Sequence, residues 1–493
     1  MLAEDDPTAR VRDNRTLMPR RLLSLAVCTL LVAAAGDAGA SGLYYTQRGV
    51  RPLGRGGAFV AGADDIGAIW YNPAGLADAG SSVLVDLAWL NFKSDFTRRT
   101  QVADRAGTLY NYDYPTVEGT TKVVPIPTIG GSYQFGDKKQ YTAAFGIVAP
   151  YTAIQSYPLE VGGQPSPSRY ALVSLDGSAL VIAGGFFAYK PVEWFRVGAG
   201  VQLLTGTFQS TVVFSANPPD RLIGAPEDPQ YDSLSQLKVG PIFTPSGNLG
   251  MTFVPHERVR IGLVGQLPFI IDAPAKVSVR LPTAAPFDKA YQDGDEARVR
   301  FRLPATIGAG VEYRHPFTPD VNLRVEASYG REFWSLHDTV DIRSENVKLY
   351  GITGFPSPFG VAPISIPRGF QDANLFGLGG ELAYKIGSYR VETREGFNYS
   401  QSAVPTAYVS PFALDTDKFT VSIGGSLYLV SNKLRLDALY ARVISSDAIV
   451  PPEEAKVPRI NPVKGNPTKT EAINGGTYAV SANVFGVGMN YKF

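Results

Sequence analysis

The chain has 493 residues, and 46 Lys+Arg against 45 Asp+Glu give a formal net charge of +1. That balance gives no reason to expect a polyanionic partner such as nucleic acid. With Gly 51, Tyr 25 and Phe 26 against Cys 1 and Met 4, the composition points to an all-β protein without a disulfide framework.

Residues 1–40 read as an export signal. Arg20-Arg21 precede "LLSLAVCTLLVAAA", an apolar run too short to be a comfortable membrane span, and Ala38-Gly39-Ala40 supply small residues at the cleavage positions. Ser41 would then begin the mature chain, and Met18, after a polar stretch, reads as the true start. Cys28 lies inside the apolar run; Val27 before it and the apolar residues after it oppose a lipoprotein reading. A mature chain without cysteine suits an oxidising compartment. No other stretch reaches 18 apolar residues, so any membrane crossing is by strands.

Residues 41–80 are Gly-rich ("LGRGGAFVAGADD") and do not alternate. Ile66, Ile69, Trp70 and Tyr71 nonetheless need burial. Asn72-Pro73 ends any short helix in "DDIGAIWY", because the residue before proline avoids the α region.

From residue 81 to 493 the pattern has period two. In "FRVGAGVQL", Phe195, Val197, Ala199, Val201 and Leu203 alternate with Arg196, Gly198, Gly200 and Gln202. In "RVRFRLPATIGAGVEY" one face takes Val299, Phe301, Leu303, Ala305, Ile307, Ala309, Val311 and Tyr313. Such segments exceed the usual globular strand and reach the roughly nine to eleven residues that cross a bilayer. Short turns ("GDKK", "KPVEW", "PHER", "HPFTPD", "IGSY", "SNK") alternate with long polar stretches at 96–124, 152–177, 217–240, 282–297, 344–371, 401–415 and 445–475. Short turns on one side and long loops on the other are the layout of an outer-membrane barrel. The expected fold is therefore a transmembrane antiparallel β-barrel of about 14 strands. The irregular segment 41–80 is its N-terminal hatch, since non-helical backbone at membrane depth is tolerated only inside the protein or in a water-filled lumen. "NVFGVGMNYKF" closes the chain with an alternating apolar face ending on Phe493, which reads as an assembly signal.

"GRGGAFVAGADDIGAIWYNPAGLA" resembles the N-terminal hatch of the FadL/TodX transporters of long-chain fatty acids and aromatic hydrocarbons, whose Asn-Pro-Ala motif is matched by Asn72, Pro73 and Ala74. "AAFGIVAPYTA" is similar to that family's third strand, "SYGREFWSLHDTVDI" to its strand with a Trp-Ser pair (here Trp334-Ser335), and "REGFNYSQSAVP" with "LDTDKF" to its late segments. Ala403, Leu414, Lys418 and Thr152 depart from the family pattern. The resemblance implies a 14-stranded barrel with a hatch, and a kinked third strand that opens the wall sideways. Pro150, which cannot donate to a ladder, and Gly146 are the residues expected at such a lateral gate; a strand simply ending at Ala149 is the alternative.

Three separated histidines, His256, His315 and His337, and no clustered Asp/His pattern give no support for a metal, a cofactor or catalysis. Taking the apolar faces as lipid-facing, the lumen receives Arg196, Arg258, Arg260, Arg300, Arg302, Arg324, Glu326, Arg390, Glu392, Arg394 and Arg435. Most of these read as charge pairs around a plug. Arg324, Glu326, Arg390 and Arg394 are the candidates for a ligand or charge-network role, because arginine binds carboxylates bidentately. The expected function is passive uptake of a hydrophobic small molecule across a Gram-negative outer membrane, in contact with its lipid and lipopolysaccharide, by a monomer placed there by the barrel assembly machinery. A plugged binding or structural barrel without transport is the alternative, and a hydrophilic porin comes third.

Overall fold

The computed structural model describes residues 47–103, 106–123, 125–149, 154–216 and 227–493. The export segment with Met18, Cys28 and Ser41, and also Pro150 and Thr152, fall outside them.

The wall is a closed antiparallel barrel of 14 strands. The first six are β1 (Ser82–Ala103), β2 (Pro125–Phe135), β3 (Tyr141–Val148), β4 (Ala179–Val192), β5 (Phe195–Ser215) and β6 (Asp232–His256). The next four are each interrupted once: β7 (Val259–Gln266, Phe269–Arg280), β8 (Glu296–Leu303, Thr306–Thr318), β9 (Val321–Glu332, Thr339–Ser344) and β10 (Ile364–Pro367, Ala373–Ile386). The last four are β11 (Tyr389–Ser400), β12 (Lys418–Leu429), β13 (Leu434–Ser445) and β14 (Gly476–Lys492). β14 pairs with β1 from Ser82↔Lys492 to Arg98↔Gly476 and closes the ring. The hairpins at one end are tight, as at Gly136–Gln140, Gly387 and Val430–Lys433, where Val430, Ser431 and Asn432 take positive φ. The long connections all leave from the other end.

Strand length shows that the wall outreaches the bilayer. β6 has 25 residues, roughly 80 Å at about 3.3 Å per residue, against an apolar band on the order of 25 Å. The barrel accordingly has two halves with opposite faces. In the lower half the apolar side chains point out: Ile307, Val311 and Tyr313 are 48%, 52% and 45% exposed. Aromatic residues crowd the rim beside the tight turns, with Tyr141 stacked on Tyr189 at 5.0 Å and Phe195 against Phe253 at 5.1 Å, as a membrane-interface girdle requires. In the upper half the pattern inverts. Asp272 and Arg298 pair on the outside, while Ala297, Val299 and Leu303 are buried inside.

Arg300 and Arg302 therefore do not enter the lumen as the continuous alternation predicts; both are exposed on the outer face. Pro304-Ala305 interrupts β8, so Leu303 and Glu312 both point inward although they lie an odd number of residues apart. A one-residue shift of phase exchanges the two faces of a strand. Outside and above the lipid the wall meets water, and the polar face turns outward there.

Candidate ligand cavity and plugged lumen

Residues 47–79 run inside the lower half. A short helix, α1 (Val50–Gly54), and a second, α2 (Ala68–Tyr71), are followed by a 3-10 turn at Pro73–Asp78. α2 stops at Asn72, which is extended, as the following proline demands. Asn72 then ties the segment to the wall. Its Nδ2 donates to the carbonyls of Val60 at 2.8 Å and Met251 of β6 at 3.1 Å, and its Oδ1 accepts from the Ala74 N–H at 3.1 Å. Pro73 lies against Gly198 of β5, and Asn72 against Gly250 of β6, so closely that a Cβ at either glycine would collide with them. Gly396 of β11 makes the same allowance for the Arg55–Gly56 backbone. Inward glycines thus form the seat of the segment, a use of the high glycine content that periodicity alone did not reveal.

Charge holds the seat. Arg51 pairs with Asp64 at 2.6 Å, Asp65 at 3.1 Å and Glu381 of β10 at 2.9 Å. Arg55 reaches Glu312 at 2.9 Å and Glu326 at 3.3 Å, both carboxylates fully buried. Glu326 also accepts the backbone N–H groups of Val60, Ala61 and Gly62. Arg324 spans Asp64, Glu312 and Glu381, and Arg394 spans Glu381, Glu392 and Asp437. Arg196 and Arg260 converge on Asp78 at 3.1 and 2.8 Å, and Arg435 on Asp65 at 2.9 Å. Burial would raise the Asp64 carboxyl, but Arg324 and Arg51 outweigh it and hold it well below the usual carboxylate range. Arg324, Glu326 and Arg394 are thus saturated by protein partners. Arg390 is exposed, pairs with Glu392 at 2.8 Å and lines a polar cavity at the tight-turn end. Arg258 sits in the β6–β7 turn instead of the lumen.

Above the segment lies a cavity of a different kind, about 260 Å³ and lined almost wholly by aliphatic and aromatic side chains. Its walls are the inverted upper half: Phe208 and Val212 of β5, Leu237 and Val239 of β6, Val277 of β7, Val299 of β8 and Ile342 of β9. Phe287, Leu349 and Val463 of the long loops close over it. Its floor is continuous with the plug, because Val239, Ile271 and Leu303 pack in the same apolar cluster as Phe59, Ile66, Ile69 and Leu76.

One cation enters this apolar space. Arg368, in the break of β10, is 8% exposed and stacks over Phe370 at 4.9 Å and Phe412 at 5.1 Å. Its Nε and Nη2 are buried with no hydrogen-bond partner among the described residues. Burial lowers the guanidinium to about 10, which leaves it charged at neutral pH. Beside it, burial and then the charge of Arg368 push His337 down to about 3. The neutral ring donates from Nδ1 to the Arg302 carbonyl at 2.6 Å, leaving Nε2 without a partner among the described residues. Arg368 escaped the sequence reading because it sits in a Pro-rich stretch with no alternation to assign its face.

The remaining candidates are separate from this cavity. Gly146 is bonded into the wall, paired with Gly130 and Gly184, and Ile69 of the plug lies directly on it. β3 is paired on both flanks from Tyr141 to Val148. Phe493 is 63% exposed beyond β14, its N–H donating to the Ser81 carbonyl at 3.1 Å. Among the described residues no group of His, Cys, Asp and Glu could hold a metal ion. The two late motif segments meet at Asp415, which binds Lys418 Nζ at 2.6 Å and the Ala403 N–H at 2.7 Å.

A closed 14-strand barrel with an inward N-terminal segment invites comparison with known transport barrels. The family model described as outer membrane protein transport protein (OMPP1/FadL/TodX) matches residues 31–493. The chain belongs to that family. Its fold is similar to that of a Pseudomonas aeruginosa FadL homologue, with a TM-score of 0.65 at 18% identity, covering 93% of this chain and 100% of the other. It is also similar to the Ralstonia pickettii toluene transporter TbuX (TM-score 0.57, 17% identity, 91% and 99% covered) and to the Pseudomonas putida toluene transporter TodX (0.55, 15%, 87% and 94%). No curated protein sequence matches the chain. This FadL/TodX-family protein is an outer-membrane channel for hydrophobic compounds, and the family is one of transport proteins.

Proposed function

We propose that the molecule carried is a long-chain monocarboxylate, taken up passively through the upper cavity, with the N-terminal segment as a hatch beneath it. The observation that supports this is the free edge of Arg368. Nε and Nη2 are the two donors of one edge of the guanidinium, the arrangement that grips a carboxylate bidentately. Every arginine of the lower network has acidic partners, whereas this one faces apolar space. Ligand sites are mostly apolar with few placed polar groups. An apolar tail along Leu237, Val277 and Val299 gains about 0.8 kcal/mol for each buried methylene. A neutral aromatic hydrocarbon would leave the Arg368 edge unsatisfied, a cost that disfavours that ligand class.

The test is displacement of a fluorescent long-chain carboxylate from the purified barrel. Hexadecanoate should displace it far better than toluene. Arg368→Met should weaken hexadecanoate by about 10- to 100-fold, the equivalent of roughly 1.5–3 kcal/mol for a hydrogen bond to a charged group, and leave toluene unchanged. Equal loss for both ligands would assign Arg368 a packing role. Binding without uptake into vesicles would favour the permanently plugged barrel.

A further inference from the structure

The upper half of the wall turns polar side chains outward, and between β6 and β9 that outer face is basic. β8 exposes Arg298, Arg300 and Arg302 in succession, and Lys238 of β6, Lys276 of β7 and Arg343 of β9 flank them. The carboxylates of these upper strand segments are engaged. Asp232 binds Arg169 at 2.8 Å and Asp272 binds Arg298, while Glu296 accepts from the Asn346 amide at 2.9 Å and Asp341 from the Ser365 hydroxyl at 2.6 Å. Lys276 is paired with Asp295. Lys238, Arg300, Arg302 and Arg343 form no ion pair among the described residues.

The pairing register sets like charges side by side. Lys238 of β6 stands directly opposite Lys276 of β7, and Arg298 of β8 directly opposite Arg343 of β9. Like charges directly opposite on one face of a sheet destabilise it. A wall that needed only to be wetted is better served by opposite signs, and the protein uses them elsewhere on its surface at Arg99–Asp113 and Arg331–Asp372. Two like-charged pairs with unpaired arginines between them fit an anion that the protein does not itself supply.

The basic face begins where the apolar band ends. Ile270, 51% exposed on the outside of β7, is the cross-strand partner of Arg302. Arg298 lies four residues above Arg302, roughly 13 Å at about 3.3 Å per residue. The cations thus fill the layer directly above the acyl chains, at the end of the barrel that carries the long loops, which is the outer one. The outer leaflet of a Gram-negative outer membrane is a glycolipid whose acylated sugars carry phosphates at that level. Basic clusters beside an apolar membrane segment recognise anionic headgroups, and arginine grips phosphate oxygens bidentately.

We propose that the outer face of β6–β9, centred on Arg298, Arg300, Arg302 and Arg343, is a binding site for the phosphorylated headgroup of this outer-leaflet glycolipid. Arg300 and Arg302 meet a phosphate at the lower level, and the Arg298–Arg343 pair meets one at the upper level. The acyl chains lie below, along Ile270 and Ile307, both exposed on the outer face. The inner faces of the same strands, at Val277, Val299 and Ile342, line the apolar cavity. The headgroup therefore sits across a wall one strand thick from the cavity, and its site does not depend on what the channel carries.

The test titrates fluorescent lipid A, either bis-phosphorylated or enzymatically dephosphorylated, onto the purified full-length barrel in detergent. The patch variant is Arg300→Gln, Arg302→Gln and Arg343→Gln together. The control variant, Lys138→Gln, Lys139→Gln and Lys385→Gln, removes the same charge from the tight-turn end. Wild type and control should bind the phosphorylated lipid alike. The patch variant should bind it more weakly by roughly fivefold for each cation removed, about 100-fold together. Dephosphorylated lipid A should bind wild type as weakly as the phosphorylated lipid binds the patch variant. Heat-modifiable migration and displacement of the fluorescent carboxylate from the upper cavity should be unchanged in both variants. Equal binding of the two lipids by wild type would overturn the proposal, whether or not the patch variant assembles. Equal weakening in patch and control variants would assign the attraction to net charge and overturn the site. Displacement of the lipid by inorganic phosphate at matching concentration would assign the patch to a free anion and overturn the lipid assignment.

Discussion

The lower and upper halves of this barrel solve opposite problems with the same strands. Below, the wall meets lipid outside and a charged, hydrogen-bonded plug inside, so β8 turns Ile307 and Val311 out and Glu312 in. Above, it meets water outside and encloses an apolar cavity, so the same strand turns Arg298 and Arg300 out and Val299 in. The inversion costs β8 one short break at Pro304-Ala305. It shows that the hydrophobic face of a barrel strand is set by what lies against it at each height and need not be a property of the whole strand. It also separates two kinds of arginine: Arg51, Arg55, Arg324 and Arg394 of the lower half are paired with buried carboxylates, while Arg368 in the upper half stands against an apolar cavity.

Removing the hatch breaks the comparison most severely. Without residues 41–79 the lower half becomes a wide polar pore, since a barrel of this strand number has more interior than its own side chains fill. The barrel should still assemble and shift on heating in gels, small polar solutes should leak freely through it in vesicles, and saturable carboxylate uptake should disappear. Unchanged permeability to both would place the segment's role outside the lumen.

A smaller break is Glu381→Ala. Glu381 accepts from Arg51, Arg324 and Arg394 within the buried network. Leaving those cations short of a partner should destabilise by about 3–5 kcal/mol. Urea unfolding should move accordingly, and proteolysis of the 47–79 segment should speed up, with displacement from the upper cavity little changed.

The finest test uses β8 alone. Val311→Lys puts a charge on the lipid side at a cost of roughly 2–4 kcal/mol near the bilayer midplane, and the yield of assembled barrel should fall. Val299→Lys, twelve residues earlier on the same strand and of the same parity, should assemble at near-normal yield and lose carboxylate binding through a filled, charged cavity wall. Equal effects on assembly from both would mean that the two halves do not differ as their exposed faces indicate.

Much of this was legible in the chain. The strand lengths, the alternation of short turns and long loops and the terminal face ending at Phe493 give a 14-strand outer-membrane barrel, because a lipid-facing wall forces period two and closure forces an even, antiparallel count. The irregular Gly-rich stretch through Asn72-Pro73-Ala74 could be placed inside the barrel, and the lower-half arginines Arg196, Arg260, Arg324 and Arg394 could be assigned inward because Val and Leu alternate with them. Those assignments are local, and local periodicity carries them. What tertiary structure alone decided is where the phase changes. A break such as Pro304-Ala305 looks in sequence like a kink that preserves its faces, and only the neighbouring strands show that Arg300 turns to water and that Arg368 turns to an apolar cavity. Pairing partners hundreds of residues apart set that phase, and no window along one strand contains them.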